Sequence, residues 1–162
     1  MNVMENLYNI LSNLNIRYDT YEHDPVYTCD EVKSLTVNIK GVHTKNLFLR
    51  DDKGRRHFLV VAPAEKPIAL KDVSERIGAK RLGFASPDRL KTYLGVDPGA
   101  VSPLAIINDS EKKVEVYFDS SFKGEMNIQC HPLVNTATII ISMTDIQTIA
   151  TSTGHEINFI EL

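Results

Sequence analysis

Cysteine is scarce in this chain. Only Cys29 and Cys130 occur, 101 positions apart. That excludes a disulfide framework and any zinc-type ligand spacing, and the expected setting is a reducing, cytoplasmic one. Long apolar runs are missing too: none approaches the ~18 residues of a membrane span, and no charged n-region precedes an apolar h-region. The expectation is therefore neither secretion nor membrane insertion. An excess of positive charge is also absent, since the formal net charge is -3, which argues against a broad nucleic-acid-binding surface. Several catalytic signatures are missing as well. There is no G-x-S-x-G elbow, no phosphate-binding P-loop after a strand and no H-E-x-x-H pair. No repeat, linker or low-complexity stretch divides the chain.

What remains is a 162-residue sequence with 43% hydrophobic residues, enough for one globular domain over residues 1–162 with a sizeable core. Its charge is uneven. Residues 40–91 carry 13 Lys+Arg against 6 Asp+Glu, and the remainder carries 5 against 15. A positively biased middle can serve a local phosphate contact, or its charges can disperse over solvated faces.

Periodicity predicts a helix over Met4–Leu14, because Leu7, Ile10, Leu11 and Leu14 recur at helical spacing. Arg17–Glu22 alternates weakly as a strand, and Thr28 with Glu31 forms a capping-box pattern opening a short helix toward Leu35. Thr44–Arg50 and His57–Ala62 flank Asp51-Asp52-Lys53-Gly54 as a hairpin. A short helix over Lys71–Ile77 ends at Gly78. Ser86 and Pro87 open a helix to Leu94, with Gly95 as its C-cap. Leu104–Ile107 reads as a buried strand closed by Asn108-Asp109. Strands near Val114–Phe118, Ile128–His131 and Thr136–Ser142 follow, then a helix over Asp145–Thr153 stopped by Gly154, and a strand to Glu161. The expected fold is mixed α/β (α+β): one curved, mostly antiparallel, barrel-like sheet flanked by helices.

Three segments can carry chemistry. Lys45-Asn46 begins an apolar strand, where a lysine can act as a fixed cation for a phosphate or simply snorkel at an edge. Gly99-Ala-Val-Ser102-Pro103 is a shaped loop whose glycine lets a ligand approach the backbone, or an ordinary connection. His131-Pro-Leu-Val-Asn135 places an imidazole and an amide at a strand end, for ligand contact or for structure. Cys130-His131 resembles a thiol–imidazole pair, but strand neighbours point to opposite faces.

Taken together, HDPVYTCDEV (23–32), KNLFLRDD (45–52), RLGFASPDRLKTYLGVDPGAVSPLAIIND (81–109) and CHPLVNTAT (130–138) resemble the YbaK-like prolyl-tRNA editing family in its free-standing, trans-acting form. The resemblance implies a YbaK-like fold and a hydrolase that deacylates mischarged tRNA(Pro) with no cofactor and no metal. Lys-Asn with H-P-L-x-N is similar to the branch that removes alanine; the cysteine-removing branch usually carries glycine where Leu133 stands.

The resemblance also implies roles. Lys45 holds a phosphate or the terminal ribose, Asn46 helps align it, and backbone N–H groups at Gly99 stabilise the oxyanion. Pro103 fixes the loop, with Ser102 beside it in the substrate-binding segment. His131 orients the terminal adenosine or the water, and Asn135 contributes to binding. The ribose hydroxyl of the substrate itself helps activate the water. The implied partners are the acceptor end of tRNA(Pro) and prolyl-tRNA synthetase, with no membrane; the oligomeric state stays open. Cys-tRNA(Pro) deacylation, a non-catalytic tRNA- or synthetase-binding module and a Cys/His hydrolase are the alternatives.

Overall fold

The computed structural model describes residues 2–25 and 40–162. The Thr28–Glu31 capping box, the helix toward Leu35 and Cys29 lie outside the described residues.

The chain opens with helix α1 (Val3–Asn13). Asn2 caps it by accepting the Glu5 N–H at 2.8 Å, and Glu5 returns the bond to the Asn2 N–H at 3.2 Å. Leu7 and Leu11, one turn apart, are fully buried on its inner face. Strand β1 (Asp19–Glu22) follows, and later β2 (Thr44–Arg50) and β3 (His57–Pro63) pair antiparallel as the predicted hairpin. Asp51 ties that turn by accepting the Arg55 N–H at 2.8 Å and the Arg56 N–H at 3.2 Å.

Helix α2 (Leu70–Ile77) ends at Gly78, which sits at φ 68, and strand β4 (Gly83–Phe84) leads into helix α3 (Pro87–Leu94). Ser86 caps α3 through the Arg89 N–H, and Gly95 ends it at φ 68. Beyond lie β5 (Val114–Asp119), β6 (Asn127–Cys130), β7 (Ala137–Ser142), α4 (Met143–Ser152) and β8 (Ile157–Ile160).

These strands form two sheets rather than one barrel-like sheet, and the sheets are not closed. One has the order β4-β2-β3-β5-β8, the other β1-β7-β6. The β3–β5 and β5–β8 pairings are parallel, so the larger sheet is mixed. A parallel bridge between Val42 and Ile128 joins the two sheets.

The larger sheet is covered on both faces. Phe48, Leu59 and Val61 face the main core with α1, α3 and α4, while Leu49, Phe58 and Val60 pack with Val73 of α2. The strand alternation of β2 and β3 therefore feeds two apolar clusters.

One predicted element is different in kind. Residues expected as a strand over Leu104–Ile107 form a 3-10 helix over Pro103–Asn108. Ser102 accepts the Leu104 N–H at 3.2 Å as its N-cap, and Pro103 takes the first helical position. The run is buried because the helical turn is surrounded, not because it lies in a sheet. Asp109 closes the segment by accepting the Lys113 N–H at 3.0 Å, the Val114 N–H at 2.8 Å and His155 Nε2 at 2.8 Å.

Candidate active site

The junction of the sheets positions the motif residues. Val42 accepts the Gln129 N–H at 3.0 Å and donates to the Asn127 carbonyl at 2.9 Å. Thr44 Oγ1 donates to the Gln129 carbonyl at 3.1 Å. The isolated Val42–Ile128 bridge and the Thr44 bond set the start of β2, where Lys45 lies, beside β6, which ends one residue before His131. Two motifs far apart in the chain thus meet at one junction, with backbone and side-chain bonds from Val42 and Thr44 to β6 holding it.

Lys45 is held from behind. Its ammonium donates to the Lys66 carbonyl, and the Lys66 ammonium in turn reaches Asp119 Oδ1 at 2.9 Å. Asp119 is fully buried, and Ser121 Oγ and the Leu162 N–H also donate to it. Those donors keep its carboxyl below the ordinary range, although burial works in the opposite direction. The result is a fixed carboxylate supporting a loop whose carbonyl aims Lys45.

Asn46 points to the opposite face of β2, with Oδ1 buried and without a hydrogen-bond partner among the described residues. A ligand served by both side chains must lie across the end of the strand rather than on one face.

The imidazole of His131 donates from Nδ1 to the Ala137 carbonyl at 3.2 Å, because a carbonyl can only accept. Burial holds its pKa below the ordinary value, and nearby His23 and His43 add to the shift against the raising effect of that carbonyl. His131 is therefore neutral at pH 7 and presents Nε2 as an acceptor. Sequence reasoning did not single out His23 or His43. His43 sits two positions before Lys45, on the same face of the chain, which was the available signal.

The glycine loop and the Leu133–Asn135 segment form two walls of one groove of about 440 Å³, whose lining includes neither Lys45 nor His131. Gly95, Pro98 and Ala100 line one side, Leu133, Val134 and Asn135 another, and Asn2 lies at the start of α1. Gly99 lies between two lining residues at φ 92, a conformation that favours glycine. Ser102 and Pro103 are buried beneath the loop. The Ser102 hydroxyl caps the 3-10 helix, so its visible duty is to shape the loop. Leu133 also has positive φ, 68, and is buried at 6% exposure. The loop around it is thus a strained backbone held by packing.

Cys130 takes no part. It is buried in the main core, and burial pushes its thiol far up, away from thiolate chemistry. The thiol–imidazole reading has no support in this geometry. Among the described residues no group of three His, Cys, Asp or Glu is placed to hold a metal ion. Among the same residues no helix is long and apolar enough to cross a membrane.

Comparison with known proteins gives this arrangement a context. The profile of the aminoacyl-tRNA editing domain matches residues 23–149. The chain belongs to that family. Among its relatives, the prolyl-tRNA editing protein ProX of Acetoanaerobium sticklandii is 43% identical over 152 residues, covering 94% of this chain and 93% of that protein. The prolyl-tRNA synthetase associated domain-containing protein 1 of Danio rerio is 37% identical, covering 96% and 85%. The fold matches the crystal structure of the hypothetical protein APE2540 with a TM-score of 0.70 at 16% identity, covering 94% of this chain and 97% of that one. An editing domain hydrolyses the ester between an amino acid and its tRNA, so the chain is an aminoacyl-tRNA deacylase. This editing domain carries a lysine and a neutral imidazole on the segments that meet at the sheet junction, and a separate groove beside the glycine loop.

Proposed function

We propose that residues 1–162 act as one trans-editing unit that removes alanine from mischarged tRNA(Pro), with prolyl-tRNA synthetase as the second partner. The likeness to ProX over nearly the whole of both chains is the observation that carries this reading. The groove adds to it. Leu133 is buried in the groove wall and fills space that glycine would leave open, which suits a small side chain. Such a second sieve is what prolyl selection needs, since one missing methylene changes binding by only about 1–3 kcal/mol.

In this reading Lys45 holds a phosphate or the ribose of the terminal adenosine, and Asn46 aligns it from the other face of the strand. Water attacks the ester carbonyl carbon, with the neighbouring ribose hydroxyl and His131 Nε2 positioned to orient it. The Ala100 N–H is taken by the Asp97 carbonyl at 3.1 Å. The N–H groups of Gly99 and of the residues beyond Ala100 therefore hold the oxyanion of the tetrahedral intermediate, each worth about 3 kcal/mol. The carbon–oxygen bond to the ribose then breaks, the ribose oxygen takes a proton and free alanine leaves. Ser102 and Pro103 keep the loop in shape, and Asn135 contacts the substrate from the opposite wall.

The test is ester loss from Ala-tRNA(Pro), Cys-tRNA(Pro), Pro-tRNA(Pro) and Ala-tRNA(Ala) with purified protein. Preferential loss of alanine from tRNA(Pro) supports the reading. Faster loss of cysteine moves the specificity, and no loss from any of the four makes the chain a binding module.

A further inference from the structure

One aromatic side chain stands out from the surface. Phe84 is 62% exposed, the most exposed large apolar residue described. It opposes Leu49 across the β2–β4 pairing. Leu49 lies four positions after Lys45, so Lys45, Leu47, Leu49 and Phe84 share one face of the sheet.

They also share one edge. The sheet order puts β4 on the side of β2 away from β3. His43 turns its carbonyl toward Ala64 on the β3 side, whereas Val42 bonds to the segment ending in His131 on the other. Ala85 donates to the Phe48 carbonyl on that same outer edge at 3.0 Å. The candidate active site and Phe84 thus lie along one edge, four strand residues or about 14 Å apart.

The surroundings of Phe84 are cationic. Lys80 and Arg81, separated from β4 by one residue, are exposed. The hairpin turn bearing exposed Lys53 and Arg55 is bonded to them, the Asp52 N–H donating to the Lys80 carbonyl at 2.9 Å. Of the acids here, Asp51 is tied into the turn, and Asp52 and, in the first turn of α3, Asp88 are exposed against the four cations. An exposed aromatic ring near cations that form no ion pair among the described residues is the chemistry that receives single-stranded RNA, with stacking on the ring and phosphates on the cations.

The geometry points to the β4 edge as the landing site for the nucleotides just inside the acceptor end. This inference rests on the proposed function, which puts the terminal adenosine at Lys45. Stacked bases rise about 3.4 Å each, so about 14 Å spans about four nucleotides. The base at that distance from the 3′ terminus stacks on Phe84, and Lys80 and Arg81 neutralise the phosphates beside it. The positively biased middle of the chain acquires a specific duty in this way.

The experiment measures binding of uncharged tRNA(Pro) by fluorescence anisotropy for wild type, Phe84→Ala and Arg81→Ala. Alongside it runs hydrolysis of Ala-tRNA(Pro) and of the alanyl ester of the trinucleotide CCA. Phe84→Ala is expected to weaken tRNA binding by roughly fivefold or more. Arg81→Ala lowers the slope of log affinity against log salt by about one. Neither changes hydrolysis of the trinucleotide ester by more than about twofold, because that substrate stops short of the patch. Unchanged tRNA binding by Phe84→Ala overturns the inference, as does an equal loss on the trinucleotide ester. Unchanged tRNA binding with lost affinity for prolyl-tRNA synthetase makes the patch a protein interface and overturns it as well. If wild type hydrolyses neither ester, the proposed function fails, while the binding arm still decides this inference.

Discussion

The Lys66 ammonium lies 2.9 Å from the carboxylate of Asp119, and the carbonyl of the same lysine accepts the ammonium of Lys45. One residue therefore links a buried acid to the cation assigned to substrate. Its backbone does the aiming and its side chain supplies the anchor.

Removing that anchor loosens Lys45 without touching it. Lys66→Met is expected to lower kcat/KM for deacylation by roughly 10- to 100-fold, the usual scale for a displaced catalytic group. It also strips a buried carboxylate of one donor, at about 1–3 kcal/mol. The double variant Lys66→Met, Asp119→Asn should regain stability but not activity. Activity within twofold of wild type in Lys66→Met would show that Lys45 needs no support.

Gly99 occupies φ 92, where a β-branched residue is strained by about 1–3 kcal/mol. Gly99→Val is expected to abolish turnover while the protein remains folded by circular dichroism. Gly99→Ala, with a smaller obstruction at the same φ, should retain measurable turnover. An active valine variant contradicts the assignment of the oxyanion donors.

A buried imidazole, His57, and a half-buried one, His131, make stability fall with acid. Burial is the main cause holding His57 below its ordinary pKa, and Arg89, which donates to His57 Nε2 at 2.9 Å, adds to it. Burial likewise lowers His131. A lowered folded-state pKa means that the unfolded chain binds more protons just below about pH 6.5. Stability is therefore fully present above that pH and lost as pH falls through the lower folded values. Melting temperature should drop between pH 7 and 5, and less steeply in His57→Gln, which keeps an acceptor for Arg89. Parallel profiles would contradict this.

Leu133 combines positive φ with a buried side chain. Replacing it by glycine relieves about 1–2 kcal/mol of backbone strain and forfeits about 2–3 kcal/mol of apolar burial. The net expectation for Leu133→Gly is a modest destabilisation of about 1 kcal/mol. Its groove is wider, so the ratio of kcat/KM for Cys-tRNA(Pro) over Ala-tRNA(Pro) should rise. An unchanged ratio would remove Leu133 from the sieve.

Much of the scaffold was legible because its signals are local. Thr44–Arg50 was predicted and observed with the same bounds, and Ser86, Pro87 and Gly95 delimit α3 as their chemistry requires. The 3-10 helix at Pro103 was misread as a strand because four apolar residues in a row suit either structure. Yet Ser102-Pro103 repeats the Ser86-Pro87 start signal, and that pair was the clue. Within the candidate site, the motif residues were readable but their support was not. Lys66 and Asp119 are 53 positions apart, and only the parallel β3–β5 pairing and the loop after β3 bring them together. The gathering of His23 and His43 near His131 depends on the junction of two sheets, which no short motif encodes.

The central claim is that Lys45 and the Gly99 loop act together to hydrolyse an alanyl ester on tRNA(Pro). It is tested most directly by single-turnover deacylation of Ala-tRNA(Pro) by wild type and by folded Lys45→Ala. The account predicts rapid alanine release by wild type and a loss of roughly 100-fold or more in the variant, the scale for a group that positions substrate at the reacting ester. Equal rates, or no release by wild type, would contradict it.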